Sequence, residues 1–223
     1  MDRTVPAGAA LLLDFIGEIE VGRKGRDGYD VIYSHAQGKL PKPITNMTIA
    51  ELQGHQASGW PAKSTASGRY QFMRATLGDL RKELGLRDDQ IFDPDLQDRL
   101  GYHLLKRRGY DAFMAGKISA TEFGKRLAME WASLPVLAST KGAHRQLKRG
   151  QSYYEGDALN KSLVSPERVE AIIALAKSGA HTVPPDMPAP RPDTPETPPS
   201  GSLWPLIAFL AALAIAGAFF ILQ

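Results

Sequence analysis

The sequence predicts an α+β fold class, predominantly α-helical, with a small β element and one apolar helix added at the C-terminus. Three observations predict it. Apolar residues recur at helical spacing, between recognisable start and stop signals, through most of residues 1–180. One short stretch alone has the composition of a strand. The last forty or so residues change composition abruptly, first to proline and then to unbroken apolarity.

The elements follow in chain order. Val5 to Leu13 is apolar, but Asp14 interrupts it and no small-residue cleavage site follows, so an amphipathic helix is expected there and not a cleaved signal. Leu12, Phe15, Ile16 and Ile19 fall at i, i+3, i+4 and i+7 on one face of that helix, which ends near Gly22. Tyr29 to Ser34 reads as the strand. Thr48 with Glu51, and Ser119 with Glu122, have the spacing of capping boxes. Asp93-Pro94 and Ser165-Pro166 each pair a capping residue with proline at the first helical position. Phe72, Leu77, Leu80 and Leu84 mark a helix through about Gly85. Leu96, Leu100 and Leu104 mark another; Phe123, Leu127 and Trp131 a third; and Val169, Ile172, Ile173 and Ala176 a last one. Gly109 and Gly179 stand where helix C-caps belong. Irregular chain is expected near 22–46 and 54–69.

Residues 181–202 hold eight of the sixteen prolines and are expected to form an extended linker. Residues 203–222 contain no charge, and twenty residues in a helix span about 30 Å, the thickness of a bilayer's hydrocarbon core. Trp204 and Pro205 suit the start of such a helix, so a transmembrane helix is expected there. The domain expectation is therefore 1–180, linker 181–202 and membrane helix 203–222.

Residues 1–180 carry 26 Lys and Arg against 21 Asp and Glu, a net of +5, whereas the tail carries −2. That excess suits an anionic partner, but its clusters are short and read as solvated helix faces. No nucleic-acid motif or aromatic platform accompanies them, so no nucleic-acid partner is expected. With no cysteine, disulfides, thiolate zinc sites and cysteine nucleophiles are excluded. The five histidines show no ligand spacing, so no metal or other cofactor is expected.

Three stretches carry polar groups that suit chemistry. The first helix ends on Gly17-Glu18-Ile19-Glu20-Val21-Gly22. Glu18 and Glu20 point about 200° apart on a helix and cannot share a site while it continues. A carboxyl at that helix end, partly buried, would hold its proton near neutral pH. Thr65 to Gln71 offers a glycine for close backbone approach, with Tyr70 and Gln71 as a ring and an amide fit for a sugar. Trp131-Ala132-Ser133-Leu134-Pro135 closes a helix.

In order and spacing, Glu20 after a Leu-Asp-x-apolar-apolar helix, Gly28-Tyr29-Asp30-Val31-Ile32, Gly68-Arg69-Tyr70-Gln71, Leu84-Gly85-Leu86 and Trp131 to Pro135 resemble the phage lambda endolysin family, lysozyme-like lytic transglycosylases. The resemblance covers roughly residues 10–180 and stops before the linker. It implies a lysozyme-like domain, Glu20 as the catalytic acid, and substrate contacts from Tyr29, Asp30, Gly68, Arg69, Tyr70, Gln71 and Trp131. Here Glu20 stands between Ile19 and Val21, where the family has Ser-Glu-Gly. Residues 35–64 and about 136–162 also depart from the family and are expected to reshape the cleft.

The implied substrate is the peptidoglycan glycan strand, cut between N-acetylmuramic acid and N-acetylglucosamine with a 1,6-anhydro product. Hydrolysis would instead need a second carboxylate, with Asp27 and Asp30 nearest in sequence. A membrane-tethered module that binds the wall without cutting it is the non-enzymatic alternative. The remaining implied partners are the inner membrane, through the apolar helix, and a separate holin-type lysis protein. The expected location is a membrane anchor with action on periplasmic peptidoglycan.

Overall fold

A computed structural model describes residues 1–23, 25–156 and 161–179. The linker and the apolar helix expected at 181–202 and 203–222 lie outside the described residues. Among the described residues, no helix is long and apolar enough to cross a membrane. Seven α-helices and one two-stranded sheet form the described domain: α1 (Ala7–Val21), α2 (Ile49–Ala57), α3 (Arg74–Leu84), α4 (Pro94–Arg107), α5 (Tyr110–Met114), α6 (Ala120–Glu130), β1 (Thr140–Lys141), β2 (Gln146–Leu147) and α7 (Pro166–Ser178).

Helix α1 is the axis of the core and packs on α4 and α7, while α6 packs on α7. Its buried stripe is Ala9, Leu12, Leu13 and Ile16, so the face is turned from the one expected, and Phe15 and Ile19 sit at its margin. Close approach to α7 depends on Gly8, where a Cβ would stand 2.5 Å from the Ala176 carbonyl oxygen. The helix stops at Gly22, which is left-handed (φ 64°) and returns its N–H to the Glu18 carbonyl.

Local start signals are realised fully at Thr48 and in part elsewhere. Thr48 and Glu51 make both bonds of a capping box, and the Asp93 and Ser119 side chains accept the N–H of Leu96 and Glu122. Ser165 begins α7 with Pro166 but without a side-chain cap. Two boundaries differ from expectation. Phe72 precedes α3 and lies in a turn. Helix α4 ends at Arg107 with Arg108 as its cap, and Gly109, one residue further on, is left-handed (φ 93°), donates its N–H to the Lys106 carbonyl (2.9 Å) and starts the short helix α5.

The strand expected at Tyr29 to Ser34 is corrected. Ile32 makes a single bridge to Ser67, and the chain then turns into 3₁₀ geometry over Tyr33–Lys39, with Ser34 and His35 at positive φ (58° and 54°). Two successive left-handed residues cannot continue a pleated strand. The small sheet lies later, where Thr140 pairs Leu147 and Lys141 pairs Gln146, in a segment with no apolar alternation to announce it.

Four rings anchor the irregular chain to the core. Tyr29, Tyr70, Phe72 and Phe92 stand edge to face in sequence, with centroids 6.4, 5.9 and 5.8 Å apart. They carry the turn at 67–72 onto α4 and so position one wall of the cavity described next.

Candidate functional site

Glu20 lies four residues after Ile16 and seven after Leu13, so it prolongs the buried stripe of α1. Its carboxyl therefore leaves the helix on the side of the core, at the point where the core opens. It emerges into a cavity of about 360 Å³, of the size that holds small ligands. Four chain segments supply most of the lining: the end of α1, residues 31–35, the turn at 66–73, and residues 130–133 at the end of α6, with Thr76 and Leu104 beside them. Leu163 closes one edge.

The Ser133 hydroxyl donates a hydrogen bond to Glu20 Oε1 across 113 residues of chain. Ser133 is itself buried, and the turn that carries it is held from behind. The Leu163 N–H donates to the Ser133 carbonyl (2.8 Å), and the Ser152 hydroxyl donates to the Ala132 carbonyl (2.9 Å). Of these two braces, Ser152 belongs to the segment at about 136–162 expected to reshape the cleft, and Leu163 lies just beyond it.

Burial pushes the Glu20 carboxyl up to about 7, and the Ser133 hydrogen bond opposes that rise. Such a group keeps its proton in about half of the molecules at pH 7, which suits a proton donor. Glu18 does not line the cavity, and neither do Asp27 and Asp30. Asp27 is exposed, and Asp30 Oδ1 accepts the Thr45 N–H (2.9 Å), capping the following loop. The second carboxyl at the cavity is Glu130, and the Arg108 Nε holds it at 2.6 Å.

The other residues expected at a sugar fall into two groups. Gln71 and Trp131 line the cavity, as does the otherwise buried Tyr70. The Gln71 amide nitrogen donates to the Gly68 carbonyl (2.8 Å), and the Trp131 indole N–H donates to the Tyr70 carbonyl (3.3 Å), tying the turn to α6. Tyr29, Arg69 and Tyr70 have their side chains inside. Both tyrosine hydroxyls donate to Asp98 Oδ1, at 2.7 and 2.6 Å. Arg69 lies across Gly17 and donates to the Gly25 carbonyl (2.5 Å) and to Asp14 (3.1 Å), with its guanidinium over the Tyr29 ring. It staples the loop after α1 to the helix and so holds the helix end that carries Glu20.

Gly68 is required by both backbone and space. Its φ is +75°, and a Cβ would stand 2.3 Å from Gln97 Oε1. Gln97 cannot yield, since it is buried and bonded to the Arg69 N–H and to the Tyr29 and Phe92 carbonyls. Gly68→Ala is expected to cost about 3 kcal/mol, combining left-handed strain with overpacking. Denaturant unfolding of the variant checks this, and a loss under about 1 kcal/mol would mean that the turn can shift.

Sequence reasoning did not single out Ser133, Glu130, Tyr33 or His35, all of which line the cavity. Ser133 and Glu130 adjoin the Trp131 stretch, which was the available signal. Nothing local marks Tyr33 or His35.

A family model described as Endolysin matches residues 10–158. An endolysin of Escherichia phage P2 is 39% identical over 117 residues, which are 48% of this chain and 65% of that protein. The chain thus spans just under two thirds of the length of that relative. No solved structure matches it.

Proposed function

Because the chain belongs to the endolysin family, we propose that it degrades peptidoglycan in host cell lysis, with Glu20 as the acid of a lysozyme-like lytic transglycosylase. The observation that carries the reading is a half-buried carboxyl, raised to about 7 and facing a cavity whose other carboxyl is already paired.

The proposed chemistry needs one such group. Glu20 gives its proton to the glycosidic oxygen as the bond from that oxygen to C1 of N-acetylmuramic acid breaks. The resulting carboxylate takes the proton of the same sugar's 6-hydroxyl, whose oxygen bonds to C1. The 1,6-anhydro ring closes, Glu20 is again protonated and no water is consumed. The nucleophile belongs to the substrate, so its effective concentration is high without a second protein base. Ser133 fits the return step, because its hydrogen bond favours the charged form of Glu20 and keeps the carboxyl aimed.

Glu130 favours a second reading. A hydrolase needs a second carboxylate to hold or replace water, and Glu130 lines the cavity. It would have to leave Arg108 to serve. Mass spectrometry of fragments from digested sacculi decides between the two. The transglycosylase reading expects 1,6-anhydro ends; reducing ends alone would establish hydrolysis. Intact sacculi would favour a binding module.

The buried Tyr29 and Arg69 would serve the glycan by holding the cavity wall, Tyr70 by holding and lining it, and Gln71 and Trp131 by facing it. Residues 203–222 would anchor the domain to the inner membrane through the linker, and a holin-type lesion would give it access to the periplasmic wall. Protease accessibility in spheroplasts, before and after depolarisation, tests that placement.

A further inference from the structure

Tyr33 is buried beside the cavity, and its hydroxyl has no hydrogen-bond partner among the described residues. The other tyrosines near the site are satisfied: the buried Tyr29 and Tyr70 by Asp98, and the half-buried Tyr154 by the Met129 carbonyl at 2.7 Å. A buried hydroxyl without a partner loses its bonds to water and gains nothing in return. Phenylalanine would fill the same space without that loss, so packing does not account for the oxygen.

The chain around Tyr33 is unusual in a second way. Its N–H is fixed to the Ala66 carbonyl (3.1 Å), but Ser34 and His35, which follow it, are both left-handed and line the cavity. Such conformations are costly in residues other than glycine and gather at ligand-binding segments. Residues 33–35, which line the same cavity as Glu20, therefore combine a strained backbone with a buried hydroxyl that has no partner among the described residues.

We infer that Tyr33 is a substrate-positioning residue whose hydroxyl takes its missing hydrogen bond from a polar group of the bound glycan, the Ser34–His35 backbone adjusting to admit it. The inference rests on the glycan-cleaving reading above. It assigns to residues 33–35 a part in binding, separate from proton transfer by Glu20.

Tyr33→Phe tests it in the full chain. Its melting temperature is expected to equal or exceed that of the native protein, because the lost oxygen had no partner. Its KM on sacculi, and its Kd for a soluble oligomer of N-acetylglucosamine, are expected to rise about five- to tenfold, the value of one neutral hydrogen bond. Tyr154→Phe, which loses a satisfied hydroxyl, is expected to melt lower and calibrates the comparison. Unchanged KM and Kd in Tyr33→Phe would overturn the inference. So would a drop in melting temperature matching that of Tyr154→Phe, since the hydroxyl would then have a partner within the protein. A native protein that neither cuts sacculi nor binds the oligomer would remove the functional reading itself, and this inference with it.

Discussion

Glu20→Gln is expected to lose wall cleavage by a factor of at least about 1,000 and yet to be the more stable protein above pH 7. The loss follows because an amide can neither give nor take the proton. The gain follows from linkage. Burial raises the Glu20 carboxyl from an ordinary value near 4.5 to about 7 in the folded chain. The folded protein therefore holds a proton that the unfolded chain has released between those two values. Below the lower value both states are protonated and the group costs nothing. As pH rises through the upper value the folded state must accept a buried charge, and stability falls. The group is only half-buried, so the full cost is reduced by solvent, to about 2 kcal/mol at pH 8. Urea unfolding at pH 4 and pH 8 checks this. The two proteins should match at pH 4 and diverge at pH 8; an equal difference at both values would mean that Glu20 is not held protonated by the fold.

The second large effect is expected far from the reacting atoms. Asp98 is fully buried, receives the Tyr29 and Tyr70 hydroxyls on Oδ1 and the Asp2 N–H on Oδ2 (2.7 Å), and has the N-terminal ammonium at 3.5 Å. Burial and the Asp98 charge push both phenols up, so they remain donors at any physiological pH. Asp98→Ala would strand two hydroxyls and a backbone N–H and open a cavity beneath the turn at 67–72. A loss of about 4 kcal/mol is expected, a large share of the stability of a domain this size. Asp98→Asn keeps an acceptor for the phenols and should fall between. Denaturant midpoints measure both, and a loss in Asp98→Ala below about 1 kcal/mol would show that the cluster repacks.

These two residues also mark what was legible in the sequence. Helix starts were, because capping is local: Thr48 with Glu51 and Asp93 with Pro94 need no distant partner. Glu20 was legible as a helix-end acid. Its continuation of the stripe formed by Leu13 and Ile16 was hidden, because Phe15 and Ile19 suggested a neighbouring face. The strand at Tyr29 to Ser34 was read from β-prone residue types, but Tyr29 is drawn inside by its bond to Asp98, Val31, Ile32 and Tyr33 are buried in succession, and the backbone departs from extended geometry at Ser34 and His35. The pairs at 140–147 are too short to leave a pattern. Tyr29, Arg69 and Tyr70 look like sugar-binding types, and only partners 28 to 69 residues away draw them inside. Ser133 was quoted within its stretch, but its meeting with Glu20 is a property of the folded chain alone.

The central claim is that burial keeps Glu20 protonated near neutral pH so that it serves as the acid. The pH dependence of kcat/KM for sacculus cleavage tests it most directly, because that ratio reports groups of the free enzyme. The account predicts a rate that falls as pH rises through about 7, the value to which burial lifts Glu20. A rate that holds constant through pH 7 and falls only below about 5, where an ordinary carboxylate gains its proton, would contradict it.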